Sequence, residues 1–227
     1  MHPTRTAVIA PLALACLFAG GQIASASPIA YTTRAAFDAA TTGLSTIDFD
    51  ALNAGDIIAS GSSVNGVEFV YDFGGFQMEI QGHLDTTSPL NSLGTDGDGT
   101  FVAGDSFVMN FGTVQAIGMY LIAIDEIFAG DFSLSIAAGS GDNSATSIGS
   151  LPDGSQVYFL GLVDPDGFTS ATLESLAGPQ FLFNVDDIVT GQARQTTVAP
   201  EPSSLLLLGL AGAALVRRAR YRAGRMA

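Results

Sequence analysis

The residues of this chain that can do chemistry are almost all carboxylates. Of its 227 residues, 22 are acidic and 8 basic, and the basic ones are all arginine. Asp48 and Asp50 follow an early apolar run, and Asp186 and Asp187 sit inside a late one. A compact acidic stretch, Asp96-Gly97-Asp98-Gly99-Thr100, lies between them, and Glu68, Glu79, Glu126 and Glu174 are dispersed. Two carboxylates ~5 to 9.5 Å apart across a scissile bond are what glycoside hydrolysis needs. Several carboxylate oxygens meeting at one point are what a hard cation such as calcium needs.

Other catalytic chemistries fail on inventory. His2 lies ahead of the leading apolar run, which leaves His83 as the one histidine of the main body, and Cys16, the one cysteine, lies inside that run. There is no lysine, no tryptophan and no G-x-S-x-G elbow. Thiol, Schiff-base and histidine-zinc chemistry therefore have no residues to run on, and a Ser-His-Asp triad would have to pass through His83, which sits in a loop context beside Gly82. Glu68 and Glu79 alternate with apolar neighbours, as expected of the solvent face of strands. Catalysis is not expected. Tyr71, Tyr120 and Tyr158 are the tyrosines available as a sugar platform, each within a predicted strand.

Charge narrows the partners further. Residues 27–199 carry two basic residues against twenty-one acidic ones, a net charge of −19. Such a body is repelled by nucleic acid and by anionic lipid surfaces. Its self-repulsion is relieved by divalent cations, which makes calcium a reasonable ligand. The carboxylates expected to meet are Asp48 and Asp50 of an opening strand and Asp186 and Asp187 of a closing strand, because the first and last strands of a jelly roll often lie side by side. The 96–100 stretch lacks the Gly and Glu of an EF-hand loop at the required offsets and reads first as a Gly-Asp turn.

The elements that must position these groups are strands. One short helix is predicted over 32–40, with Thr33 as N-cap and Gly43 as terminator. After it, apolar, β-branched and aromatic runs recur at 44–49, 64–71, 76–80, 101–111, 114–124, 132–137, 157–163, 168–176 and 181–189, separated by Gly, Asp, Asn and Ser clusters. Phe132, Leu134 and Ile136 alternate with Ser133 and Ser135, marking one buried and one wet face, and the run 119–124 is apolar enough to be central. The expectation is an all-β, two-sheet antiparallel β-sandwich of jelly-roll type spanning 27–199, with long loops at 85–100 and 139–154. No cysteine remains there to form a disulfide.

Both ends read as addresses. Arg5, an apolar run over 7–20 and then Ala24-Ser25-Ala26 have the order of a cleavable secretion signal, so a helical signal over 1–26 and cutting by signal peptidase after Ala26 are expected, with Cys16 an ordinary member of the apolar run rather than a lipid-attachment site. At the far end, Pro200-Glu201-Pro202 precedes an apolar stretch over 203–216 and then Arg217, Arg218, Arg220, Arg222 and Arg225. Arginines directly after an apolar segment stay on the cytoplasmic side, which leaves everything before Pro200 outside. The apolar stretch is short against a ~30 Å hydrocarbon core, which suits a short helix inserted transiently in the inner membrane before processing.

This tail, 200–227, resembles the PEP-CTERM sorting signal of Gram-negative bacteria on Pro200-Glu201-Pro202-Ser203-Ser204-Leu205, the leucine-rich run with Gly209 and Gly212, and the arginine cluster. That resemblance implies processing by an exosortase-type enzyme. The body is similar to a recurring ectodomain of PEP-CTERM proteins on Ile47-Asp48-Phe49-Asp50, Val64-Asn65-Gly66-Val67-Glu68-Phe69, Phe107-Val108-Met109-Asn110-Phe111 and Phe183-Asn184-Val185-Asp186-Asp187-Ile188. The resemblance implies a jelly roll similar to carbohydrate-binding and legume-lectin modules, with a structural calcium on a first-strand acid and a final D-D-I aspartate in some members. Taken together, the expectation is an exported, surface-sorted, non-enzymatic protein of the envelope or extracellular polysaccharide matrix that binds glycan. A calcium-dependent adhesion or lectin-like module and a carboxylate-dependent glycoside hydrolase are the alternatives.

Overall fold

A computed structural model of the chain describes residues 27–144, 146–176 and 181–194. The signal expected over 1–26 and the sorting tail with its apolar helix over 200–227 lie outside the described residues. The described part is one short helix and fourteen strands, in the order β1 (Ile29–Tyr31), α1 (Arg34–Ala40), β2 (Thr41–Ile47), β3 (Ile57–Ile58), β4 (Ser62–Val64), β5 (Val67–Tyr71), β6 (Met78–Gln81), β7 (Ser92–Thr95), β8 (Phe101–Val102), β9 (Ser106–Ala123), β10 (Phe132–Ile136), β11 (Gly139–Asp142), β12 (Gly149–Ser150), β13 (Gln156–Ser175) and β14 (Leu182–Ala193).

All fourteen strands are linked by antiparallel pairing into one network, whose main path runs β11-β10-β13-β9-β14-β7-β6-β3. It does not close into a barrel. The all-β antiparallel fold is thus as expected, and its continuity has a specific cause. The runs 101–111 and 114–124 expected as separate strands mostly merge into β9, and 157–163 and 168–176 merge into β13. β9 and β13 pair along nearly their whole length, from Gln156↔Ala123 to Glu174↔Ser106, with register shifts around Phe168. The stretch between the runs 157–163 and 168–176, Asp164-Pro165-Asp166-Gly167, is a bulge within the ladder. Gly167 takes φ +81° there and Asp164 Oδ1 accepts from Asp166 N at 3.0 Å. A bulge is where proline is tolerated inside a sheet.

Both halves of β9 feed one core. Phe107 and Met109 come from its first half and Ile117, Met119 and Leu121 from its second, and all are buried in the cluster that also holds Phe69, Leu134, Leu160 and Phe183. Rings run through it as a connected series: Phe73 against Phe101, Phe101 against Phe183, and Phe183 against Phe132. The alternation read in 132–136 is realised, with Phe132, Leu134 and Ile136 buried and the two serines half-buried.

The second face of the ladder is covered by α1. Thr33 caps the helix by accepting from Ala36 N at 3.4 Å and the helix ends at Ala40, both as expected, although what ends it is extended backbone at Thr41 and not Gly43. Phe37, fully buried, packs on Phe159, Ala116, Val163 and Val189. It fits because Gly118 and Gly161 are paired directly across β9 and β13. A Cβ at Gly161 would lie 2.7 Å from the Phe37 ring, and one at Gly118 would lie 2.7 Å from the Phe159 ring. Two facing glycines therefore make the hollow into which the ring drops.

Two segments depart from the expected pattern. The run 64–71 is split by Asn65-Gly66, both at positive φ, into the hairpin of β4 and β5; this is the dipeptide that a tight primed turn demands. The expected loop 85–100 contains β7, Ser92-Leu93-Gly94-Thr95, all buried. Its small residues are set by crowding: a Cβ at Gly94 would lie 2.2 Å from the Gly99 carbonyl oxygen. Likewise 139–154 contains β11 and β12.

Removing the Phe37 ring should cost about 3 to 5 kcal/mol, since it leaves the glycine hollow empty. Phe76, 56% exposed, should change stability by no more than about 0.5 kcal/mol on replacement by alanine. Urea unfolding of Phe37→Ala and Phe76→Ala checks the contrast.

Candidate functional site

The carboxylates singled out in the first and last strands do come to one place. β2 and β14 pair antiparallel with Ile47 opposite Ile188, so the residues beyond that pair, Asp48 and Asp187, are carried alongside each other. The β14–β9 ladder slips at the same point. Asp186 pairs with Tyr120 and Val189 with Gly118, so Asp187 and Ile188 face Met119 alone. This bulge places Asp187 at φ +48°, a left-handed conformation that aspartate tolerates better than most residues.

Asp186, the last residue paired before the bulge, is fully buried. Its Oδ2 accepts from Thr87 N at 2.9 Å, Thr87 Oγ1 at 2.7 Å and Ser88 N at 3.1 Å, and its Oδ1 accepts from Asp187 N at 2.8 Å. Asp186 is therefore a latch on the loop between β6 and β7. The other end of that loop is held by Asp50, whose Oδ1 accepts from Asn91 N at 3.0 Å, while Asn91 Nδ2 donates to the carbonyls of Phe49 and Leu52. Asp48 is exposed, and its Oδ1 accepts from Asp50 N at 3.2 Å.

The four predicted ligands thus divide. Asp50 and Asp186 hold the two ends of the loop between β6 and β7, whereas Asp48 accepts only from its neighbour Asp50 and lies near enough to Asp187 for the two charges to interact. Among the described residues no group of three or more His, Cys, Asp or Glu side chains is arranged to hold a metal ion. Burial raises the Asp187 pKa, the Thr87 hydroxyl and Arg34 lower it, and Asp48 raises it further. Arg34 was not singled out from sequence, although its rarity in so acidic a body was a signal. It bonds Asp38 at 2.7 Å and its charge also reaches Tyr120.

The remaining candidates are placed more simply. Glu68 lies on β5, accepting from Asn110 Nδ2 at 3.0 Å, and Glu79 lies on β6; these strands share no pairing partner. Glu126 and Glu174 are exposed. Tyr158 is buried, and Tyr71 is stacked on Phe73 with its hydroxyl donating to the Ile58 carbonyl at 2.6 Å. Both serve packing. The 96–100 stretch is a turn between β7 and β8, closed by Thr95 Oγ1 donating to the Thr100 carbonyl at 2.7 Å. Asp96 ties it to Gln77, donating its N–H to the Gln77 carbonyl and accepting the Gln77 N–H at 2.8 Å. His83 is exposed beside this turn.

Comparison with known proteins bears on the tail. Residues 198–220 match the family model of the PEP-CTERM protein-sorting motif. No curated protein matches the chain. The motif covers Pro200, Glu201, Pro202, Arg217 and Arg218, the residues expected to carry the signal, and it implies an exported protein with a C-terminal sorting signal handled by an exosortase-type system. Among the described residues no helix is long and apolar enough to cross a membrane.

Burial pushes the Asp186 pKa up to about 6 in spite of its hydrogen bonds. An unfolded aspartate titrates near ~3.9, so the fold favours the proton: below that value both states are protonated and nothing is lost, and stability falls as pH rises from about 4 to about 6. The loss from this group is about 3 kcal/mol. Urea midpoints measured between those pH values should decline less steeply for Asp186→Asn than for the parent. Equal slopes would show that Asp186 ionises in the fold as freely as in the unfolded chain.

Proposed function

We propose that the chain is a surface-sorted, non-enzymatic β protein of the cell envelope or extracellular polysaccharide matrix, where its anionic β domain binds glycan. The observation that carries this reading is the sorting motif at 198–220. The charge distribution supports it: five arginines cluster beyond the apolar stretch of the tail, and the body before it is strongly anionic. Arginines are retained on the cytoplasmic side and the anionic bulk is delivered outside. On this reading signal peptidase removes 1–26, the tail enters the inner membrane transiently, and an exosortase-type enzyme releases the body to the surface.

Mass spectrometry of the protein from producing cells should find Ser27 as the first residue and no peptide from 217–227. Replacing Pro200, Glu201 and Pro202 by alanine should leave the tail attached and the protein in the inner-membrane fraction. An intact chain in the cytosol, or normal release of the alanine variant, would remove the reading.

A calcium-dependent adhesion module is the second reading, favoured by the adjacency of Asp48 and Asp187, whose repulsion a cation would relieve. On that reading, calcium at ~100 times its dissociation constant adds about 2.7 kcal/mol to stability, chelator removes it, and Asp187→Asn abolishes the difference. A melting temperature indifferent to calcium and chelator would discard it.

A further inference from the structure

The turn between β7 and β8 borders a groove of about 490 Å³. Phe73 and Thr100, both buried, form its floor, and Phe76, Asp96, Asp98 and Asp105 its walls. No basic residue lines it. Four features point to a ligand. Phe76 leaves 56% of its surface in water, although a large ring gains by burial. It is also held in place, since Gly97 lies so close to its Cδ1–Cε1 edge that a Cβ there would come within 3.0 Å of the ring. Thr100 is 5% exposed and its Oγ1 has no hydrogen-bond partner, an arrangement that costs free energy until something supplies one. Finally, Asp96 and Asp105 each give one oxygen to a backbone N–H, of Gln77 and Val102, and Asp98 bonds to none of the described residues. Carboxylate oxygens are left over in a groove that also holds an exposed aromatic ring.

An aromatic face with carboxylates around it selects a cation that carries an apolar flank. A sugar presents such a flank as the C–H face of its ring, and aromatic platforms with a few polar groups are how sites of this size orient a ligand. A neutral sugar would leave the carboxylates repelling one another, whereas a free amine neutralises them. We propose that this groove binds an amino-sugar glycan with free amines: its ring face packs on Phe76, its ammonium group sits among Asp96, Asp98 and Asp105, and a hydroxyl reaches Thr100 Oγ1. The proposal rests on the reading of the β domain as glycan-binding and names the glycan's chemistry and its place.

The test is calorimetric titration of the protein, purified from cells expressing the full chain, with three probes at a pH where the amines are protonated: fully de-N-acetylated glucosamine hexamer, its N-acetylated counterpart, and pentalysine. The de-N-acetylated hexamer should bind about tenfold more tightly than the other two. Phe76→Ala and Asp98→Asn, both at exposed positions, should each weaken it at least about fivefold, and Asp98→Asn should also lessen its salt dependence. Equal affinity for the two hexamers would overturn the charge selection while leaving glycan binding in place. Tighter binding of pentalysine would overturn the glycan assignment itself. Affinity unchanged in both variants would put the ligand elsewhere on the acidic surface, and absence of binding by all three probes would remove the groove as a site.

Discussion

The long pairing of β9 with β13 is the constraint on which the rest of the molecule depends. No disulfide is available to the body, and its formal charge opposes compaction, so cohesion must come from apolar burial organised by backbone hydrogen bonds. β9 supplies both. It pairs with β13 on one side, and with β5 and then β14 on the other, while its side chains fill the main core. Because the two longest strands run through the whole sheet, the rest of the network is attached to one spine. The facing pair Gly118 and Gly161 belongs to the same spine, and it is what lets the helix dock through Phe37.

Charge is arranged around that spine according to cost. Most acids are exposed or half-exposed, where water screens them, and the fully buried Asp186 is surrounded by donors from Thr87, Ser88 and Asp187. The β14 bulge follows this carboxylate directly and sets its neighbour Asp187 in a left-handed conformation beside the end of β2. The groove beside Phe76 shows the converse arrangement, with carboxylate oxygens and an aromatic ring left toward solvent.

Much of this was legible in the amino-acid order because it depends on local pattern. The alternation in 132–136, the Thr33 cap and the apolar runs identify strands and helix through the period of the side chains alone. The meeting of Asp48 with Asp187 was also accessible, since it follows from pairing of the first and last long strands. What escaped depends on contacts between distant residues. β7 reads as a loop because Ser92 and Gly94 are small, yet at Gly94 the space is filled by the Gly99 carbonyl and Asn184 and permits nothing larger. The hydrogen bonds by which Asp50 and Asp186 hold backbone N–H groups of the loop between β6 and β7 escaped as well, since no periodicity reveals such partners. The Phe76 groove is assembled from three separated stretches and has no signature in any one of them.

An exported chain without covalent staples must hold its shape by its own packing once outside, and the spine is where that resistance should reside. Hydrogen exchange followed by mass spectrometry on the protein tests this directly. Amides of residues 117–121 and 158–162, paired across β9 and β13, should exchange slowest, at the rate set by global unfolding, with the 85–91 loop and the 139–154 segment exchanging much sooner. Exchange across β9 and β13 as fast as in those segments, or a slowest region lying elsewhere, would contradict the account.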